Sequence, residues 1–290
     1  MVIARTRRAE SGRAGGKMAF TLACVVGFVF FAWVGASFAQ IPFTLQPKTA
    51  DEAIDQVVWA NRILANEGIF DFLGHISVRN PENPKTFFIS RGIAPETVTK
   101  KDILEVDQEG KVVTKNPLGN PYSERIIHAA IYKMRPEINS VIHAHPQTVV
   151  AFTISEVPFK MVAHPSSVFY EGIPYFDGYI FKKGNGGMLI QTKEEGDLVA
   201  KALGPKAIAM WMKGHGYNVT GPSVPNAVRA AIELRDNVNI LMTAAQFGKV
   251  WSISYEDAKY SASVLGTPER AWGAWLNRVK KNMPDMKTTP

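Results

Sequence analysis

Apolar residues fall at helical spacing behind Thr49, at Ile54, Val57, Val58 and Leu64, and the run stops at Gly68. Thr49 with Glu52 three positions on is a capping-box pattern, so a helix is expected here. The period then changes. Residues 73–78 and 86–90 are short and strand-like, with a Pro/Asn turn between them, and residues 102–113 read as a short helix or turn followed by a strand. Helical spacing returns at Ile126, Ile127, Ala130 and Ile131, on a helix spanning about 123–134 that Pro136 ends. Residues 140–145 form the next expected strand, and Pro146 opens a short helix. Residues 160–164 and 188–191 read as further strands. Thr192 and Glu195 cap a helix to residue 203, closed by Gly204-Pro205. A buried strand at 207–212, a Gly214-His215-Gly216 turn, a strand at 217–219 and a long helix at 224–247 complete the pattern, with a helical C-terminus. Strands and helices mix without a strict βαβ beat. The pattern predicts one α/β domain over residues 40–290, its sheet mostly antiparallel or mixed and covered by helices.

Residues 18–39 carry no charged side chain. Arg5, Arg7, Arg8, Arg13 and Lys17 precede them, and Ser37-Phe38-Ala39 closes them. Basic, apolar and small-residue parts in that order make a secretory signal, with cleavage expected between Ala39 and Gln40. The stretch is also long enough to remain as an uncleaved membrane anchor. Cys24 follows Thr21-Leu22-Ala23, out of frame with a lipobox, and the residues after Arg7-Arg8 do not support twin-arginine export. Both readings put the folded domain outside the cytoplasm: periplasmic or secreted from a bacterium, or anchored in the inner membrane by residues 18–39.

Composition matters at two points. Of the net charge of +7, the leader holds +4 (five basic residues against Glu10), which leaves 7 − 4 = +3. That is too mild and scattered for a nucleic-acid partner. The one cysteine is Cys24, so a chain cleaved after Ala39 has no disulfide, thiolate metal site, iron–sulfur cluster or cysteine nucleophile. The histidines become the first candidates for metal binding.

His143-Ala144-His145 ends the strand at 140–145. On a strand, positions i and i+2 point the same way, so both imidazoles can reach one ion. His215 stands between two glycines that allow a sharp turn and a close approach; alone it reads equally as a turn histidine. Glu124 opens the helix at 123–134, either as a first-turn acid that complements the helix dipole or as a general acid or base near a metal. His128 shares its face one turn on, as a site residue or a structural hydrogen-bonder.

Ser123-Glu124, His128 four residues later, Ile131-Tyr132, the Val141-Ile142-His143-Ala144-His145-Pro146 strand and Lys213-Gly214-His215-Gly216 together resemble the class II aldolase/adducin family in order and spacing. The resemblance runs from about residue 50 to 254. It implies a three-layer α/β/α fold, a divalent metal held by His143, His145 and His215, Glu124 as the catalytic acid/base group, and a homotetramer with sites at subunit interfaces. Adducin-type members have lost the metal site, whereas this chain keeps each of these positions.

The chain departs from the sugar-phosphate aldolases of that family. Their Gly-Asn-x-Ser loop is Gly74-His75-Ile76-Ser77 here, their phosphate-cradling segment is Ile89-Ser90-Arg91-Gly92, and their proton-donor tyrosine is replaced near His164-Pro165. The pattern is closer to members that decarboxylate hydroxylated aromatic or pyridine carboxylic acids. His75, Ser90, Arg91 and His164 are then expected to bind substrate, Arg91 by the carboxylate-matching fork of a guanidinium. The expected activity is a metal-dependent carbon–carbon lyase, a decarboxylase of a hydroxylated aromatic acid with one Zn, Mn, Mg or Co per subunit. An aldolase, an adducin-like binding module and a periplasmic metal-binding protein are the alternatives.

Overall fold

Helix α1 (Ala50–Asn66) starts where Thr49 caps it, the threonine side chain accepting from the Glu52 amide at 3.2 Å, and Gly68 turns the chain away at φ 69°. The computed structural model describes residues 45–181 and 187–287. The expected leader at 1–39 lies outside them. Among the described residues no helix is long and apolar enough to cross a membrane.

Strands β1 (His75–Arg79), β2 (Thr86–Ser90) and β3 (Ile103–Asp107) follow α1. Helix α2 (Arg125–Met134) leads into β4 (Ser140–Ala144) and the short α3 (Gln147–Thr153). Next come β5 (Tyr175–Phe176), α4 (Gly178–Phe181), α5 (Lys193–Leu203), β6 (Ala209–Met212) and β7 (Gly216–Gly221). Helices α6 (Val224–Ala245), α7 (Tyr255–Val264) and α8 (Glu269–Asn282) close the chain. The strands form one sheet in the order β3-β2-β1-β4-β7-β6-β5. Every pairing is antiparallel except β5 on β6 at the edge, so the sheet is mixed.

Alternation along the strands divides the core in two. Ile76, Ile142, Ala144, Trp211, Tyr217 and Val219 face α1, α3, α6 and α8. Phe87, Ile89, Leu104, Val141, Met210 and Met212 face α2 and α5. The result is the expected three-layer α/β/α arrangement. Each fully buried aliphatic side chain contributes roughly 1.5–3 kcal/mol, so a one-residue slip of any central strand would be costly on both faces.

Two expected strands are not strands. At residues 160–164 the side chain of Asn237 on α6 takes the place of a neighbouring strand. Its Oδ1 accepts from the Val162 and Ala163 amides at 2.9 and 3.2 Å, and its Nδ2 donates to Lys160 O at 2.9 Å. At 188–191 carboxylates capture the backbone: Ile190 N–H donates to Glu124 Oε1 at 3.0 Å and Gln191 N–H to Glu195 Oε2 at 2.7 Å. Amides used in this way have nothing left for a ladder. The edge strand is Tyr175–Phe176 instead, which no apolar run marks.

Candidate active site

His75, His143 and Asn218 stand in one row across three adjacent strands, since His75 pairs with His143 and His143 with Asn218. Their neighbours Ile76, Ile142 and Val219 point into the opposite core, so the row faces α2. His145 lies just past the end of β4, two residues on from His143 and on its side of the sheet. His215 hangs in the β6–β7 turn between Gly214, at φ 66°, and Gly216. A Cβ on Gly216 would sit 2.1 Å from Ala144 O, so only glycine lets β7 begin this close to β4. Glu124 is the N-cap residue of α2, a position before the first helical turn.

These elements bring four side chains to one point. His145 Nε2 lies 2.9 Å from His143 Nε2, and His215 Nε2 lies 3.4 Å from it. Glu124 Oε2 is 3.4 Å from His143 Nε2 and 3.6 Å from His215 Nε2. His143 Nδ1 is 2.8 Å from Asn218 Oδ1, which only accepts, so the ring proton is on Nδ1 and Nε2 presents a lone pair. His145 Nδ1 likewise faces an acceptor, Asp71 Oδ1 at 3.6 Å. Two imidazole lone pairs and a carboxylate oxygen therefore meet, with His215 Nε2 beside them, and the four atoms lie within 4.8 Å of one another. Such a set repels itself unless a cation sits among it. Ligands at roughly 2.0–2.1 Å around a tetrahedral ion are about 3.3–3.4 Å apart, close to three of these four spacings. Three imidazoles, with the Glu124 carboxylate beside them, fit a divalent ion in chemistry and spacing.

The electrostatics agree. Burial alone would raise the Glu124 pKa, but His143 and His215 outweigh it and hold the carboxyl well below the usual range. Burial alone would lower that of His143, but the Glu124 carboxylate and the Asn218 hydrogen bond raise it above the ordinary 6.5. His145 is lowered to about 4, first by burial and then by the neighbouring imidazoles.

The cluster lies at the base of a cleft of about 620 Å³, walled by Leu73, Met188 and Leu189 and also lined by His75 and Tyr122. No lysine or arginine lines it among the described residues. A second cleft of about 430 Å³, beside the end of α6, is walled by Val157, Leu241, Ala245 and Val250, with Lys160 and Lys249 also lining it.

Glu124, His143, His145, His215 and His75 are thus brought together. The other expected substrate-binding residues are not in the cleft. Arg91 Nε is paired with Asp102 Oδ1 at 2.8 Å. Ser90 is fully buried beside Tyr122. His164 is exposed at the start of a 3₁₀ turn. Asn218, which orients the His143 ring, and Asp71, which faces His145 at 3.6 Å, were not anticipated. The signal for Asn218 was its strand parity with His143, visible only once the β4–β7 register is known. His128 is fully buried behind His75, its Nε2 2.8 Å from His75 Nδ1.

Residues 55–242 match the class II aldolase and adducin N-terminal domain. The decarboxylase tropJ of Talaromyces stipitatus is 31% identical over 244 residues, covering 75% of this chain and 90% of that protein. The 3,4-dihydroxyphthalate decarboxylase of Arthrobacter keyseri is 28% identical over 66% of this chain and 78% of its own. Among solved structures, L-fuculose 1-phosphate aldolase from Glaciozyma antarctica shares the fold with a TM-score of 0.66 at 24% identity, over 82% of this chain and 93% of that one.

Proposed function

The chain belongs to the class II aldolase and adducin family and is a lyase of that family, and from that premise we propose that it decarboxylates a hydroxylated aromatic acid at a divalent metal held by His143, His145 and His215. The observation that carries this reading is the convergence of three imidazoles and a carboxylate under apolar walls, with no lysine or arginine lining the cleft among the described residues. Among the described residues a phosphate would meet no cationic side chain there, whereas a planar ring suits Leu73, Met188 and Leu189. The names of the two decarboxylase relatives support the same class.

A bound zinc or manganese ion would stabilise negative charge on substrate oxygen as the carboxyl group leaves. Glu124 handles the proton. Its Oε1 is pinned by the Ile190 amide, which leaves Oε2 facing the imidazoles, and its depressed pKa keeps it ionised. Oε2 takes the proton of a substrate hydroxyl and delivers it to the ring carbon bearing the carboxylate. The carbon–carboxyl bond then breaks, its electron pair stays on the ring system, and a solvent proton restores the hydroxyl. His143 is held by Asn218.

The test is carbon dioxide release from hydroxylated benzoates and phthalates by the metal-loaded protein, beside cleavage of sugar phosphates. Release from the aromatic acids is expected. Efficient cleavage of a sugar phosphate with no carbon dioxide from any aromatic acid would replace this reading with an aldolase. We further propose export directed by residues 18–39 and assembly into a homo-oligomer, for which exposed Phe247 and Trp251 offer apolar surface.

A further inference from the structure

Behind the cleft runs a hydrogen-bonded chain that the reaction above does not use. His75 Nδ1 lies 2.8 Å from His128 Nε2, His128 Nδ1 lies 2.6 Å from Ser77 Oγ, and Ser77 Oγ lies 2.8 Å from the Tyr132 hydroxyl. All four residues are at most 1% exposed. Two ring nitrogens 2.8 Å apart hold one proton between them, so one of the two is a bare acceptor and its ring is neutral. A neutral ring has one N–H, so each link has a direction that can be worked out.

The direction is set at the far end. The Tyr132 proton can go to Ser77 Oγ at 2.8 Å or to Asn139 O at 3.5 Å. The second contact is at the outer limit of a hydrogen bond, while the first is at its normal length. Tyr132 therefore donates to Ser77. The Ser77 proton then has His128 Nδ1 as its acceptor, which puts the His128 proton on Nε2. That proton points at His75 Nδ1, which must be bare, so the His75 proton is on Nε2. Any other assignment leaves a buried proton without a good acceptor, at a cost comparable to a lost hydrogen bond.

We propose that His75 is a fixed hydrogen-bond donor into the cleft, recognising an anionic oxygen of the substrate, and that His128, Ser77 and Tyr132 are positioning residues that set its tautomer. The use of the donor rests on the lyase reading; the tautomer does not. A donor here suits the substrate's carboxylate or ionised hydroxyl and disfavours a group that presents only N–H or O–H.

Long-range nitrogen–proton NMR of the histidine rings in the zinc-loaded full chain reads the tautomer directly, with His75→Asn used to assign the signal. The expected result is a protonated Nε2 and a bare Nδ1 on His75. A proton on Nδ1, or on both nitrogens at neutral pH, would overturn the proposal. Ser77→Ala removes the donor to His128. Zinc content should be unchanged, most of the His75 population should move its proton to Nδ1, and 2,3-dihydroxybenzoate should bind about tenfold or more weakly, the size of one hydrogen bond to a charged group. Unchanged binding alongside a shifted tautomer would remove His75 from recognition. If Ser77→Ala does not fold, the wild-type spectrum still decides the tautomer. A protonated Nε2 in a protein that binds no aromatic acid would count against the lyase substrate and leave the tautomer standing.

Discussion

Glu124 and His143 face each other at 3.4 Å, and each supports a separate prediction. Glu124→Gln keeps the shape of the side chain but removes its proton acceptor. Metal should stay bound while turnover falls by about 10²–10⁴, as general acid–base groups typically contribute; a smaller loss would assign proton transfer elsewhere. His143→Ala removes the central imidazole, and metal analysis should show most of the ion gone. His143 titrates above 6.5 because Glu124 faces it, so protons compete for its Nε2 at a higher pH than for a free histidine. Equilibrium dialysis should show metal affinity beginning to weaken once pH falls below that raised value, and constant above it. His143 and His145 were legible as a pair from strand parity alone. Arg91 was not: its fork looks free in sequence, but Asp102, eleven residues on, sits beside it across the β2–β3 hairpin.

Among the elements, the β6–β7 turn sets the position of His215. Gly216→Ala would put a methyl 2.1 Å from Ala144 O, and backbone cannot yield as a flexible side chain does. Destabilisation of about 1–3 kcal/mol is expected from such overpacking, measured by urea unfolding, together with loss of metal as His215 leaves its partners. Normal metal affinity in a folded Gly216→Ala would show that the turn does not position the ligand. Helices α1 and α5 were readable because Thr49 and Thr192 each cap one with a local side-chain contact. The segments at 160–164 and 188–191 misled because their composition is strand-like while their amides go to Asn237, Glu124 and Glu195, side chains that no local pattern connects to them.

For the whole molecule, buried imidazoles link stability to acidity. The folded pKa of His128 is about 3 against an ordinary 6.5, so the unfolded chain takes up this proton first. The contribution is complete above about 6.5 and is lost as pH falls towards 3. Urea midpoints should drop across that window, and the slope should flatten in His128→Gln. An unchanged slope would mean that His128 is protonated in the fold. The exported chain is expected to begin at Gln40, which mass spectrometry of protein from its own host would read; an intact N-terminus on cytoplasmic protein would refute export.

By itself the sequence determined what depends on neighbours along the chain. That includes the capped helices, the strand parity that puts His143 and His145 on one side, and the glycines that free His215 to turn. It also carried the order of motifs that identifies the family. Tertiary structure decided what depends on partners far apart in the chain. Strand register placed Asn218 beside His143 and His75 across from it. The α2 N-terminus brought Glu124 Oε2 to the imidazoles. Hydrogen bonds and charges act over a few ångströms of space, and residues 75, 124, 143, 215 and 218 come within that reach only when the sheet has closed.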